Sequence, residues 1–522
     1  MQLTQHLHRA LARHPDATAT VCGTRRHSFR QFHDRVGRLA GALRALGVQP
    51  GDRVGLLALN SDRYLEAFMA VPWAGAALNP LNTRWSAAEI AWALDDCGTQ
   101  LLLVDDAHAA LVPELRQRSS ALRNVVHTGE QATPEGLLDG EALIGAHAPV
   151  PDARRGGSDL AGVFYTGGTT GFPKGVMVSH QALVYNGLVA AAAGFARDGE
   201  RGLHVAPLFH GAGITLMGAL WTVGGTHVTL GAFSPPAVLQ TIAQERIDTV
   251  VLVPTMVQRL VDHPGAASHD LGSLRLLAYG ASPISEALVD RALQLMPHTR
   301  FMQCYGMTEL APMITLLMPD LHVGEGRARG KIRSAGQPIV GVELRVVDAD
   351  GRDRPTGEVG EIIVRSPAVM LGYWNRPEET AHALQRAPNP GWMHTGDAGR
   401  LDEDGFVTIV DRVKDMIVTG GENVYSVEVE QALARHPAVA TCAVIGVPDE
   451  RWGERVHAVV VLKAGQPADA GELIAHCRTL IGGYKCPKSV DFVDTLPLSG
   501  AGKVLKSRLR EPFWAGRERQ VA

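Results

Sequence analysis

The sequence predicts an α/β protein: a large N-terminal domain of layered α/β subdomains plus a β-rich subdomain, followed by a small α+β C-terminal domain. Three observations lead there. Short apolar runs bounded by turn residues recur along the first 300 residues, amphipathic helical patterns lie between several of them, and the texture changes to glycine-punctuated β segments from about Ile332. A chain of 522 residues is too long for one ordinary core, which adds an expectation of two to four structural units.

The apolar runs are Arg53 to Asn60, Gln100 to Asp106, Leu160 to Tyr165, Leu203 to Leu208, Thr249 to Pro254, Leu274 to Tyr279 and Phe301 to Tyr305. Their length and flanking turn residues make them buried strands. Between Ser28 and Gly47 the residues Phe29, Phe32, Val36, Leu39, Leu43 and Leu46 form one apolar stripe, with Ser28 placed to cap the helix start and Gly47 its end. Strand alternating with helix favours largely parallel sheets. Beyond Ile332, Glu343 to Asp348 and Glu361 to Arg365 are β segments with turns at Asp350-Gly351 and Thr356-Gly357. After Asp411-Arg412 a compact tail follows: a helix from Ser426, strands near Cys442 to Gly446 and Val456 to Leu462, a helix near Glu472 and a strand near Val490. The expected domains are therefore 1–411 and 412–522.

Composition excludes several classes. With 45% hydrophobic and 20% charged residues the chain has the make-up of a globular protein, not a fibrous or disordered one. A formal charge of −4 gives no reason to expect nucleic acid or an anionic membrane as partner, and the basic cluster Lys503, Lys506, Arg508, Arg510, Arg517 and Arg519 is expected to be a solvated surface. The six cysteines are scattered without zinc-site spacing, no apolar run reaches a membrane-spanning length, and the start of the chain has no basic-then-apolar leader. A reduced, cytoplasmic setting is expected.

Residues 165 to 176 read Tyr-Thr-Gly-Gly-Thr-Thr-Gly-Phe-Pro-Lys-Gly-Val. Four glycines let the backbone approach an anion closely, three threonines bring hydroxyl donors, and Lys174 brings a positive charge. Thr166, Gly167, Gly168, Thr169, Thr170, Gly171 and Lys174 thus form a phosphate cradle. It is not the P-loop of ordinary ATPases, because no Lys-Ser or Lys-Thr pair follows the glycines and Pro173 precedes the lysine. The string Thr166 to Gly175 resembles the phosphate-loop signature of the adenylate-forming superfamily, which comprises acyl-CoA synthetases, peptide-synthetase adenylation domains and beetle luciferases.

The resemblance continues in chain order from about Thr24 to Arg510, closest to fatty-acid or other acyl-CoA ligases. His210, in Pro207-Leu-Phe-His-Gly211, resembles the histidine that borders the carboxylate substrate and the thiol channel. Gly280, Ala281 and Ser282 resemble the segment lining the adenine and acyl pocket, where small residues admit a flat base. Tyr305-Gly306-Met307-Thr308-Glu309 matches the motif whose tyrosine stacks on adenine, whose threonine donates to the α-phosphate and whose glutamate holds Mg2+, with Thr166 as the hydroxyl partner on that metal. Asp397, in Trp392-Met-His-Thr-Gly-Asp397, resembles the acceptor of both ribose hydroxyls, and Arg412 resembles a ribose or phosphate contact. Lys414 falls at the hinge position, Gly420-Gly421 faces the pantetheine channel, and Lys503, in Pro497-Leu-Ser-Gly-Ala-Gly-Lys503, resembles the catalytic lysine.

What the resemblance implies is a two-step reaction using ATP, Mg2+ and CoA: a carboxylic acid attacks ATP to give acyl-adenylate and pyrophosphate, then a thiol displaces AMP. It also implies a small C-terminal domain that rotates about the hinge between the steps. The candidate acyl segments Gly211 to Trp221 and Leu276 to Gly280 contain no charge that would pair with an ammonium group, which favours an apolar acid such as a medium- or long-chain fatty acid. Ile214 stands where some long-chain synthetases have a tryptophan gate, so aryl and polycyclic acids stay open. A carrier-protein thiol in place of CoA is the rival acceptor. A luciferase-like oxygenase and a non-catalytic nucleotide-binding scaffold are the more distant readings, and a homodimer is compatible with the residues without being required by them.

Overall fold

The structure is a computed structural model that describes residues 1–166, 173–282, 284–412, 415–419, 422–449, 451–499 and 503–515. They form two compact units: residues 1–332, 336–343 and 365–384 in one, residues 333–335, 344–364 and 385–522 in the other.

The first unit holds two large sheets. In the nine-stranded sheet, Thr18–Cys22, Arg201–His204, Thr226–Thr229, Thr249–Leu252, Leu276–Gly280 and Arg300–Tyr305 run parallel, with antiparallel strands only toward its edges. In the eight-stranded sheet, Arg53–Leu57, Ala77–Pro80, Leu101–Val104, Asn124–His127 and Leu160–Thr166 are parallel, and Lys174–Ser179 returns antiparallel beside Leu160–Thr166. These strands read as nearly continuous apolar runs because both faces are covered. The expected helix is Phe29–Ala45: Ser28 accepts from the Gln31 amide while the Gln31 side chain accepts from the Ser28 amide, and Gly47 takes φ +94°. Trp221 is fully buried against Phe32, with ring centroids 5.3 Å apart, and stacks 4.0 Å from His227.

The second unit carries an antiparallel four-stranded sheet containing Gly360–Arg365, Met393–Leu401 and Val407–Arg412, and a separate sheet built on the long hairpin Val439–Asp449 and Gly453–Leu462. Helices Ser426–Leu433, Ala470–Arg478 and Lys506–Trp514 and the parallel strand Ser489–Phe492 also belong to the tail. Its apolar core joins Val429, Leu433, Val444, Val456, Val460 and Leu473.

Two expectations are corrected. The run Leu203 to Leu208 is a strand only as far as His204, because Asn60 captures the chain beyond it: Asn60 Nδ2 donates to the carbonyls of His204 and Ala206 and Oδ1 accepts from the Leu208 amide. The basic cluster near the end is not simply solvated, since Lys506 pairs with Glu430 at 2.7 Å and Arg510 with Asp415 at 2.6 Å, all four side chains at most 20% exposed.

Candidate active site

In the first unit the site grows from the hairpin of Leu160–Thr166 and Lys174–Ser179, where Thr166 and Lys174 are cross-strand partners. Gly167, Gly168, Thr169, Thr170 and Gly171 lie outside the described residues. The hairpin is extended by Gly372–Tyr373, which pairs antiparallel with Val176 and Met177. The Trp374 amide donates to the Gly175 carbonyl at 2.7 Å, and Trp374 Nε1 to the Asp96 carbonyl at 2.8 Å. Lys174 Nζ stands 5.6 Å from the centre of the Tyr373 ring and 3.9 Å from Glu379 Oε1, with its side chain 31% exposed. The lysine is thus parked on an aromatic face and a half-exposed carboxylate, which a phosphate can outcompete.

Tyr373 also faces Glu309. Its hydroxyl donates to Glu309 Oε1 at 2.9 Å, and Glu309 is buried in the short 3-10 turn Thr308–Leu310 that follows Arg300–Tyr305. The Met370 amide donates to the Glu309 carbonyl at 2.8 Å, so the segment 370–373 fixes both the backbone and the carboxylate of this residue. Close packing dictates the small residues here. A Cβ on Gly306 would lie 2.0 Å from the Pro312 carbonyl oxygen, and one on Gly211 would lie 2.6 Å from Pro312 Cβ. At Gly280 an added Cβ would meet the Cys304 carbonyl oxygen at 2.3 Å, so the neighbouring strand alone demands a glycine there, whatever the base requires. Ala281 takes φ +70°, a strained conformation for a residue with a side chain, and Ser282 beside it is half-buried.

His210 is the N-cap of helix Gly211–Val223, with Nδ1 accepting from the Ala212 amide at 3.4 Å. Ile214 lies in the first turn of that helix and is 9% exposed. The far end of the segment is not a pocket wall, since Trp221 belongs to the core. In Leu276–Gly280, Tyr279 is fully buried and its hydroxyl meets His322 Nε2 at 2.9 Å, while His322 Nδ1 meets the Met318 carbonyl at 3.0 Å. The Met318 contact identifies Nδ1 as the protonated nitrogen and Nε2 as the acceptor. Burial lowers the pKa of this imidazole to about 4.

In the second unit Asp397 is 5% exposed on Met393–Leu401, directly across from Arg412 in the neighbouring strand. The side chain of Arg412 lies outside the described residues, as do Lys414, Gly420 and Gly421. The approach to Asp397 is braced by Glu361: His394 Nδ1 meets Glu361 Oε2 at 2.9 Å, Arg386 donates to the same oxygen at 3.0 Å, and the Gly396 amide donates to Oε1 at 3.3 Å. Burial works against the Glu361 charge, yet the His394 hydrogen bond, the Arg386 charge and the Gly396 amide hold its pKa below the ordinary value. The Lys503 amide donates to Ser499 Oγ at 3.1 Å and its carbonyl accepts from the Ser499 amide at 2.7 Å, beside the bridge between Leu498 and Val504.

Sequence reasoning missed Asn60, Tyr373, Glu361 and His322. Only Tyr373 carried a local signal, a Gly-Tyr-Trp triplet after an apolar run. The others are polar residues whose partners lie far away in the chain.

A family model described as AMP-binding enzyme matches residues 7–374, and its companion, the AMP-binding enzyme C-terminal domain, matches residues 428–503. The chain belongs to the AMP-binding enzyme family. It is an AMP-forming acid–thiol ligase of the acyl-CoA synthetase type. A feruloyl-CoA synthase of an Amycolatopsis species is 44% identical over 502 residues, covering 96% of both chains. A fatty acid–[acyl-carrier-protein] ligase of Streptomyces coeruleorubidus is 37% identical over 513 residues, covering 97% of this chain and 95% of its own. Among solved structures, an anthranilate CoA ligase in complex with anthranoyl-AMP superposes with TM-score 0.89 at 28% identity, covering 98% of this chain and 97% of its own. The adenylate-forming fold expected from the motifs is therefore the fold of this protein.

Proposed function

We propose that this ligase activates an aryl carboxylic acid, of the hydroxycinnamate or benzoate type, and transfers it to CoA. The observation that carries the reading is the 44% identity to a feruloyl-CoA synthase over nearly the whole of both chains. The aryl-adenylate in the anthranilate CoA ligase complex supports it on the same fold. The medium- or long-chain fatty acid expected from apolar composition alone is the weaker reading, because an uncharged helix beside His210 suits a flat ring as well as an alkyl chain. Loading of a carrier-protein thiol is the second reading, favoured by the 37% identity to a fatty acid–[acyl-carrier-protein] ligase.

In the reaction a carboxylate oxygen bonds to the α-phosphorus of ATP as the bond to the bridging oxygen breaks. Pyrophosphate leaves with the electron pair and no proton moves. The sulfur of the thiol then bonds to the acyl carbon, its proton is lost, and AMP departs. Lys174 and the loop 166–171 hold the leaving phosphates, Thr308 and Lys503 offset charge at the α-phosphate, and Asp397 with Arg412 holds the ribose. Thr166 and Glu309 offer oxygen donors of the kind a hard cation prefers, so Mg2+ fits them and would neutralise phosphate charge when bound. Residues 1–411 and 412–522 are taken as the working domains, with Lys414 as hinge, and the cytoplasm, where ATP and CoA are available, as the setting.

The deciding experiment measures CoA-dependent AMP release over hydroxycinnamates, benzoates, polycyclic acids and straight-chain acids of increasing length. A kcat/KM for a hydroxycinnamate at least about tenfold above every straight-chain acid is expected, since an apolar pocket discriminates by that order. A straight-chain acid in first place would defeat the aryl assignment, and release that needs a carrier protein would move the acceptor.

A further inference from the structure

The segment bearing Lys503 runs directly into the helix Lys506–Trp514, and that helix is fastened by three different kinds of contact. Leu509, with Val504 just before the helix, packs on a small apolar cluster of Ala443, Val459 and Leu496. Trp514 Nε1 donates to the Gly446 carbonyl at 3.0 Å. Two cations then reach toward the segments on either side of residues 413–414. Arg510 Nη1 lies 2.6 Å from Asp415 Oδ1, with the two side chains 11% and 14% exposed. Lys506 Nζ lies 2.7 Å from Glu430 Oε1 and also contacts Ser426 Oγ, while the Ser426 amide donates to Asp411 Oδ2 at 2.6 Å. Asp411 is 3% exposed.

Such contacts exceed what holding a surface helix requires. Leu509 and Trp514, both half-buried, already anchor the helix through an apolar contact and a hydrogen bond, and charge pairs drawn out of water cost desolvation that a hydrophobic pair avoids. What ion pairs add over apolar contacts is direction: a cation held 2.6–2.7 Å from a little-exposed carboxylate ties one element to a defined point of another. The direction fixed here is that of the chain leaving Lys503, which is tied by Lys506 three residues later and by Arg510 one helical turn beyond that.

We propose that Arg510 and Lys506 are positioning residues for adenylation, setting the backbone from which Lys503 reaches the α-phosphate through their pairs with Asp415 and Glu430. This rests on the reading of Lys503 given above. Neither residue touches substrate. Their effect is on the fraction of time the Lys503 ammonium occupies the place where charge builds as the carboxylate oxygen bonds to phosphorus.

The test compares two half-reactions, ATP–pyrophosphate exchange with the best acid and thioester formation from supplied acyl-adenylate, in the full-length enzyme. Arg510→Ala and Asp415→Asn should each lower exchange kcat by about ten- to a hundredfold, the loss expected of a catalytic group misplaced by about 1 Å, with the KM for ATP changed by less than about threefold. The double variant should be no worse than the poorer single one, because both remove the same interaction. Thioester formation should stay within about threefold of wild type, and Arg510→Lys should recover part of the exchange, because it keeps a positive charge opposite Asp415. Should Arg510→Ala not fold, Arg510→Lys and Asp415→Asn carry the comparison. An equal fall in both half-reactions, or unaltered exchange in Asp415→Asn, would overturn the proposal. Lys503→Ala separates the two readings: full exchange in it removes the lysine's role, and the proposal with it, whereas its inactivity beside an unaffected Asp415→Asn removes the positioning role alone.

Discussion

The Tyr373 hydroxyl donates a hydrogen bond to Glu309 at 2.9 Å, while the face of the same ring lies 5.6 Å from the Lys174 ammonium. One tyrosine therefore braces both Glu309 and Lys174, the acidic and basic residues proposed for the phosphate end of the site. Tyr373→Phe keeps the ring under Lys174 and deletes only the donor to a buried carboxylate. A hydrogen bond to a charged group contributes about 1.5–3 kcal/mol. We therefore expect roughly tenfold or greater loss of kcat/KM for ATP in pyrophosphate exchange, together with a higher Mg2+ requirement and an unchanged KM for the acid. An unshifted Mg2+ titration would show that the tyrosine does not orient the carboxylate.

Asn60 spends both ends of its amide on the segment His204 to Leu208 that leads to His210. It is 6% exposed, so Asn60→Ala leaves buried carbonyls and an amide without their partner. Destabilisation of about 2–4 kcal/mol is expected in urea unfolding. The kinetic consequence should fall on the acid, whose KM rises while that of ATP does not, because the loop it anchors carries His210. Equal effects on both would assign Asn60 to folding only.

The parts of this protein legible in its sequence are those with local rules. The apolar runs gave the parallel strands because both faces of each sheet are covered, and Ser28 and Gly47 bounded their helix through a capping box and a left-handed turn. The motifs singled out Glu309, Asp397 and Lys503, and the structure puts Glu309 in a short 3-10 turn and Asp397 in a strand. What stayed hidden depends on distance along the chain. Tyr373 meets Glu309 across 64 positions and Asn60 meets Ala206 across 146, and no period or composition reports such a pairing. Gly280 reads as room for a ligand, yet it is already required by the Cys304 carbonyl oxygen of the protein itself, as Gly306 is by that of Pro312.

Lys503 is held through its own backbone, its amide donating to Ser499 Oγ and its carbonyl accepting from the Ser499 amide, so its substitution should leave both bonds intact. Lys503→Ala is expected to lose ATP–pyrophosphate exchange by about a hundredfold or more, a typical cost of removing one group that stabilises transition-state charge. Thioester formation from supplied acyl-adenylate should persist, because that step breaks no bond to phosphorus and its reacting centre is the acyl carbon. Circular dichroism and unfolding temperature should match wild type. A parallel loss of both half-reactions would place the lysine elsewhere in the cycle.

The buried histidines set the acid limit of the first unit. His322 and His180 have pKa values lowered to about 4, and His204 to about 3, in each case chiefly by burial. Their unfolded values lie near 6.5, so below that pH the unfolded chain binds protons that the folded one refuses. The stability these groups contribute is complete above about pH 6.5 and is lost as pH falls toward 4, on the order of 3 kcal/mol for His322 alone. Protonation of His322 would moreover put a second N–H where Tyr279 donates. Unfolding of wild type should therefore become steeply easier between pH 6.5 and 4. His322→Gln should be less stable at pH 7.5 yet show a shallower acid dependence, with the two curves converging near pH 4. Parallel curves across that range would mean that His322 takes up its proton in the folded state, and that the Tyr279 hydroxyl is not held by a neutral imidazole.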